Sequence, residues 1–203
     1  MLLIVVHAFS SACTRTTVPQ AAHVVVLVPS TAELPPGVSA EDFHRVLADA
    51  GRKWSYPAVS CTRLRIDVAP LAYQRRAVED GRNIVVFRAS SWCHNERCGK
   101  ESTFPFAAGA MTSVYPEAAG PGKVTEGDVE LNAVHFSWRQ IGKSPPPRDG
   151  HSREAVLDAV LLHEIGHLLG FRDNAGSPGI MHASARTELD PEDIAAVCRA
   201  FPL

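Results

Sequence analysis

Apolar and polar positions alternate between two periods along this chain, and the changes of period mark its elements. His23 to Val28 is a β-branched apolar run ended by Pro29 and predicts a strand. Pro35-Pro36-Gly37 predicts a loop. Ser39 then stands where a helix N-cap is needed, ahead of Phe43, Val46, Leu47 and Ala50 at helical spacing, with Trp54 one turn further on. Leu64 to Val68 alternates apolar and charged residues, as a half-exposed strand does. Asn83 to Phe87 follows the Asp80-Gly81 turn and has the character of a buried strand. Ala107 to Tyr115 and Val129 to Leu131 predict two more. Pro145-Pro146-Pro147 predicts a rigid loop.

A long helix is expected from Ser152 to Leu169, with Ser152 as N-cap, Glu154 in the first turn and Gly170 as terminator. A last helix is expected from Pro191 to Ala200, capped by Asp190. Helices interleave with strands, so the class is α/β or α+β, a small sheet backed by helices.

Composition changes this picture little. At 203 residues with 45% hydrophobic content, the chain is long enough for one domain with its own core. The formal net charge of −2 and the lack of a basic stripe argue against a nucleic-acid partner.

The N-terminus stands apart. Met1 to Phe9 is an apolar run too short to span a bilayer as a helix, and it reads as part of an export signal. Ser10-Ser11-Ala12-Cys13 resembles a bacterial lipoprotein cleavage box, although Ser10 stands where that pattern prefers Leu. The expected organisation is a signal over 1–13, a tether over 14–22 and a catalytic domain over 23–203. The expected location is outside the cytoplasm, either secreted or held at the bacterial cell envelope by a lipid on Cys13.

Apart from Cys13, the cysteines are Cys61, Cys93, Cys98 and Cys198. An even number in an exported chain points to two disulfides, with three pairings open. Cys93 and Cys98 are close enough to close a small loop, which would leave Cys61 with Cys198. The rival is a metal site from Cys93, His94 and Cys98, which lacks a clear fourth ligand.

The chemistry concentrates in His163-Glu164-Ile165-Gly166-His167-Leu168-Leu169-Gly170-Phe171-Arg172-Asp173. His163 and His167 are four apart, so on a helix both imidazoles lie on one face and can reach a single zinc ion. Glu164 points beside that face, where it can serve as general base toward a water. Two solvated histidines are the plain alternative. The flanking Val156, Val160, Leu161, Leu168 and Leu169 make this a core helix, in which unpartnered imidazoles are costly. Gly170 lets the chain leave the helix and fold back, so that Asp173 can serve as third ligand. Glu188 and Glu192 are the alternatives by spacing.

With Ser177-Pro178-Gly179-Ile180-Met181-His182 downstream, this segment resembles the metzincin zinc peptidases, in their matrixin-like bacterial form, with the Asp third ligand of the snapalysin-like branch. The resemblance implies a twisted mixed sheet of about five strands, an active-site helix, a Met-turn with Met181 under the metal, and a C-terminal helix beginning near Leu189. It implies that Gly127 to Asn132 is the strand preceding the active-site helix. Ala107 to Tyr115 would be an antiparallel edge strand that pairs with an extended peptide or protein substrate. Arg97-Cys98-Gly99 faintly echoes the family's cysteine switch, but a disulfide is the better expectation for Cys98. One catalytic Zn2+ and a monomer are implied; no calcium site is legible. Ala183 to Arg186 would line the pocket beside the scissile bond. The rival readings are a non-catalytic surface binding protein and a zinc hydrolase acting on a non-peptide amide.

Overall fold

A computed structural model describes residues 23–29, 33–57, 60–71, 76–93, 98, 104–116, 120–143, 153–174, 176, 179–182 and 186–203. The expected signal, the tether, Cys13, the Pro145-Pro146-Pro147 loop, Ser152 and positions 183–185 lie outside the described residues.

The β-branched run His23–Pro29 forms β1, and the Ser39-capped segment Ala40–Ser55 forms α1. Ser39 Oγ accepts from the Asp42 amide at 3.1 Å, satisfying one of the donors that every helix start leaves open. Phe43, Val46, Leu47, Ala50 and Trp54 form the buried stripe of α1, as their spacing predicts. The chain then returns as β2, Arg65–Leu71, which pairs in parallel with β1. Next come β3, Asn83–Arg88, β4, Ala110–Tyr115, and β5, Glu126–Asn132. These make a mixed five-stranded sheet in the order β2-β1-β3-β5-β4. Only the β4–β5 pairing is antiparallel, and β4 is an edge, as expected. It begins at Ala110 rather than Ala107, because the Ala108 amide closes a turn onto the Pro105 carbonyl at 2.9 Å.

The expected helix from Ser152 to Leu169 needs correction. Arg153–Val156 is a strand, β7, paired in parallel with Phe136–Arg139, β6, an element with no counterpart in the sequence reading. Helix α2 runs only from Leu157 to Leu168, its N-cap is Val156 with no side-chain cap, and Glu154 belongs to β7. The backbone of Arg153–Val156 pairs in parallel with Phe136–Arg139, and the Arg153 guanidinium lies 4.8 Å from the Phe106 ring centroid. These tertiary contacts outweigh a helical preference of four residues. The same finding corrects the place of Gly127 to Asn132. It lies within β5, and β6 and β7 intervene before the helix. The last helix, α3, spans Pro191–Ala200 with Asp190 as cap, as expected.

One face of the sheet packs on α1 and α2. Val26 and Val28 of β1, Val85 and Phe87 of β3, and Val129 and Leu131 of β5 meet Phe43, Leu47, Trp54, Leu161 and Ile165 in the main core. The Trp54 indole also donates to the Leu162 carbonyl at 2.8 Å, fixing α1 to α2. The other face of β5 is acidic and buried: Glu130 pairs with Arg88, and Asp128 and Glu126 accept from backbone amides of Val78, Asp80, Gly81 and Ile84.

Disulfides join Cys61 to Cys198 and Cys93 to Cys98, the pairing expected from spacing. The second rules out the rival metal site of Cys93, His94 and Cys98. Two disulfides are consistent with an exported protein in an oxidising compartment. Among the described residues, no helix is long and apolar enough to cross a membrane.

Candidate metal centre

The site is built on the second half of α2. His163 and His167 project from one face of the helix, their rings 4.7 Å apart at 86°. His163 Nδ1 lies 2.7 Å from the Ile180 carbonyl and His167 Nδ1 lies 2.8 Å from the Phe171 carbonyl. A carbonyl only accepts, so each Nδ1 carries a hydrogen, and each Nε2 is left to present a lone pair to a metal ion or, with none bound, to hold a proton facing Asp173. Both Nε2 atoms are buried and have no hydrogen-bond partner. Such orphaned nitrogens are costly unless something outside the chain's own hydrogen bonds completes them.

The chain reversal that brings a third group to them follows from one residue. Gly170 has φ +92°, and its amide bonds to the His167 carbonyl at 2.8 Å while the Phe171 amide bonds to Gly166 at 3.0 Å. That is the Schellman pattern, which closes a helix through a left-handed residue. A side chain at 170 would also meet the Gly120 carbonyl at 2.6 Å, so glycine is required twice over. Phe171 then stacks on Trp54, with centroids 5.3 Å apart and planes 13° apart. Two residues later Asp173 returns to the helix, its Oδ1 3.3 Å from His163 Nε2 and 3.4 Å from His167 Nε2. Ligand atoms of His163, His167 and Asp173 all lie within 4.8 Å of one another, and this is the group among the described residues that can hold a metal ion.

Electrostatics agree with that geometry. Burial works against the imidazolium of His163, but the Asp173 carboxylate, the Glu164 charge and the Ile180 carbonyl prevail and push it up to about 9. Burial would raise Asp173, but the two imidazoles beside it hold it well below the usual carboxylate range. The pocket therefore attracts positive charge. Two imidazole nitrogens and a carboxylate oxygen suit zinc and leave a fourth position open.

Met181 lies beneath this face, its sulfur against Gly166 on the helix backbone between the two histidines. Its carbonyl accepts from Asn174 at 2.9 Å, which ties the segment after Gly170 to the Met181 turn. Ile180, one residue earlier, accepts from His163 and donates its amide to Asp193 Oδ2 at 2.9 Å. Asp193 is a site residue that sequence reasoning missed as such. Its signal was the Asp190-x-x-Asp193 spacing of a capping box, which the structure forms.

Glu164 is fully buried. Thr112 Oγ1, on the edge strand β4, donates to its Oε2 at 2.5 Å, while Oε1 has no partner. Thr112 was also missed, since nothing in Ala-Met-Thr-Ser distinguishes it. The alternative third ligands lie elsewhere. Glu188 Oε1 pairs with Lys53 Nζ at 2.9 Å, and Glu192 is exposed in the first turn of α3. Arg186, from the expected pocket lining, reaches toward Asp190 at 3.9 Å.

No family model matches the chain. It is 32% identical over 134 residues, 64% of its length, to a curated protein described as a probable matrix metalloproteinase, 095L, of Invertebrate iridescent virus 3. The match covers 32% of that protein, so the chain spans about a third of the length of the relative it matches. The metal-suited cluster and this likeness together support a distant metalloproteinase-type relationship.

Proposed function

We propose that this chain is a zinc-dependent endopeptidase of metzincin type, with His163, His167 and Asp173 as ligands and Glu164 as general base. The observation that carries the reading is the set of unpartnered atoms: Nε2 of His163, Nε2 of His167 and Oε1 of Glu164, all buried, beside Asp173. A bound zinc ion would acidify a water and polarise the scissile carbonyl. The chain's own groups do the rest. The Ile180 and Phe171 carbonyls hold the two imidazoles in the ligating tautomer. Glu164 Oε1 takes a proton from the attacking water and passes it to the leaving amine nitrogen.

The substrate is a peptide in extended form, laid along β4. Among the described residues no strand pairs with its outer edge, which can accept another strand. The protein acts outside the cytoplasm, secreted or anchored through Cys13, as a monomer.

Metal analysis combined with a peptide-library digest tests the reading. One zinc per chain and cleavage at internal bonds are expected. Glu164→Ala should keep the zinc and lose cleavage. A zinc-loaded wild type that leaves every peptide intact would favour a binding protein or a non-peptide substrate.

A further inference from the structure

We propose that Thr112 is a positioning residue whose hydroxyl divides the labour of the two Glu164 oxygens, and that the same residue couples the base to the bound peptide. The inference rests on the peptidase reading above. Oε2 of Glu164 is engaged by Thr112 Oγ1 at 2.5 Å, and Oε1 is buried without a partner. A lone carboxylate rotates about its last torsion with little resistance. With Oε2 held, that rotation is stopped and Oε1 is the oxygen left for the water. Threonine is suited to this task because its β-branch restricts χ1, so the hydroxyl is itself held in place.

The strand register adds the second half. The Asn132 amide bonds to the Gly109 carbonyl at 2.8 Å, and β4 and β5 then run antiparallel with Thr112 opposite Val129. In such a ladder, residues alternate between facing the partner strand and facing away. Counting from Gly109, residues Met111 and Ser113 turn their amides and carbonyls to β5. Ala110, Thr112 and Val114 turn theirs to the open edge. Thr112 therefore meets the incoming peptide with its backbone and Glu164 with its side chain. A substrate strand that docks on the edge is placed in register with the base by one residue.

Thr112→Val keeps the shape and strand preference and removes only the hydroxyl; Thr112→Ser keeps the hydroxyl. The probes are fluorescein-labelled casein and an internally quenched peptide selected in the library digest. The Val variant should retain zinc and stay folded at the assay temperature, with a melting temperature lowered by a few degrees because the buried Glu164 Oε2 loses its partner. Its KM should stay within about twofold and its kcat fall on the order of tenfold, the size expected for losing one hydrogen bond to a charged group. Ser should restore most of the kcat. Equal kcat in wild type and the Val variant, or equal losses in Val and Ser, would overturn the role while leaving the peptidase reading intact. A zinc-loaded wild type that cleaves neither probe overturns the peptidase reading and this role with it.

Discussion

Asp193 Oδ2 accepts the Ile180 amide at 2.9 Å, and the carbonyl of that same Ile180 receives His163 Nδ1 at 2.7 Å. The N-terminal cap of α3 is thus two hydrogen bonds from the first imidazole. Asp193→Ala strands the buried Ile180 amide and breaks the capping box. It should destabilise the fold by about 1–3 kcal/mol in denaturant unfolding. Zinc affinity should also fall, by about 10- to 100-fold, because the group that orients the ligand is loosened. Wild-type affinity in a folded Asp193→Ala variant would show that the chain of bonds carries no orientation to His163.

The identity of the third ligand can be read from metal content alone. Asp173 Oδ1 lies against both imidazoles, whereas Glu188 is held by Lys53. Asp173→Ala should lose most of its zinc on dialysis. Glu188→Ala and Glu192→Ala should each keep one ion per chain. Retention by Asp173→Ala, with loss in either glutamate variant, would reassign the ligand.

Much of this site was legible because its parts are local. His163, Glu164 and His167 follow helical spacing, Gly170 marks a left-handed exit, and Ser39 and Asp190 announce helix starts by their side chains. What escaped depends on distant pairing or on backbone atoms, which carry no residue identity. The carbonyls of Ile180 and Phe171 fix the imidazoles, but any residue type would offer them. Arg153–Val156 looked like the first turn of a helix until Phe136–Arg139 lay beside it. Thr112 matters only because strand pairing and α2 bring it to Glu164. Asp193 stands three residues after the Asp190 cap, but nothing in that spacing announces its bond to a turn 13 residues away.

Gly166 lies on α2 between the two histidines. A Cβ there would overlap the Met181 sulfur and come 3.0 Å from Trp54 Cζ2. Trp54 is itself fixed by its bond to Leu162, so the ring cannot simply retreat. Gly166→Ala should therefore lose stability by about 1–3 kcal/mol through overpacking, despite alanine's better helix propensity. Thermal unfolding with and without excess zinc would measure it. Adding Met181→Ala in the same chain should recover part of the loss, whereas a stabilised single variant would show that the turn yields freely.

A pH dependence follows from the acidic face of β5. Asp128 is 1% exposed; burial pushes its carboxyl up to about 7, against the pull of the Val78 and Ile84 amides and with the help of Glu126 and Asp80. Tyr115 on β4 is raised by the same surroundings, and Arg88 is occupied by Glu130. An acid whose folded value lies above its unfolded value of about 3.9 favours the fold in its neutral form. Its contribution is complete below that unfolded value and is lost as pH rises through about 7. Buried Asp193 is shifted in the same direction, while Asp42 and Asp49 are lowered and so change stability only in more acidic solution. With zinc saturating, the melting temperature should therefore fall by several degrees from about pH 5 to about pH 7 and level off above. Asp128→Asn cannot ionise, so it should flatten most of that slope even if its melting temperature is lower throughout. A slope unchanged in Asp128→Asn would place the titrating group elsewhere.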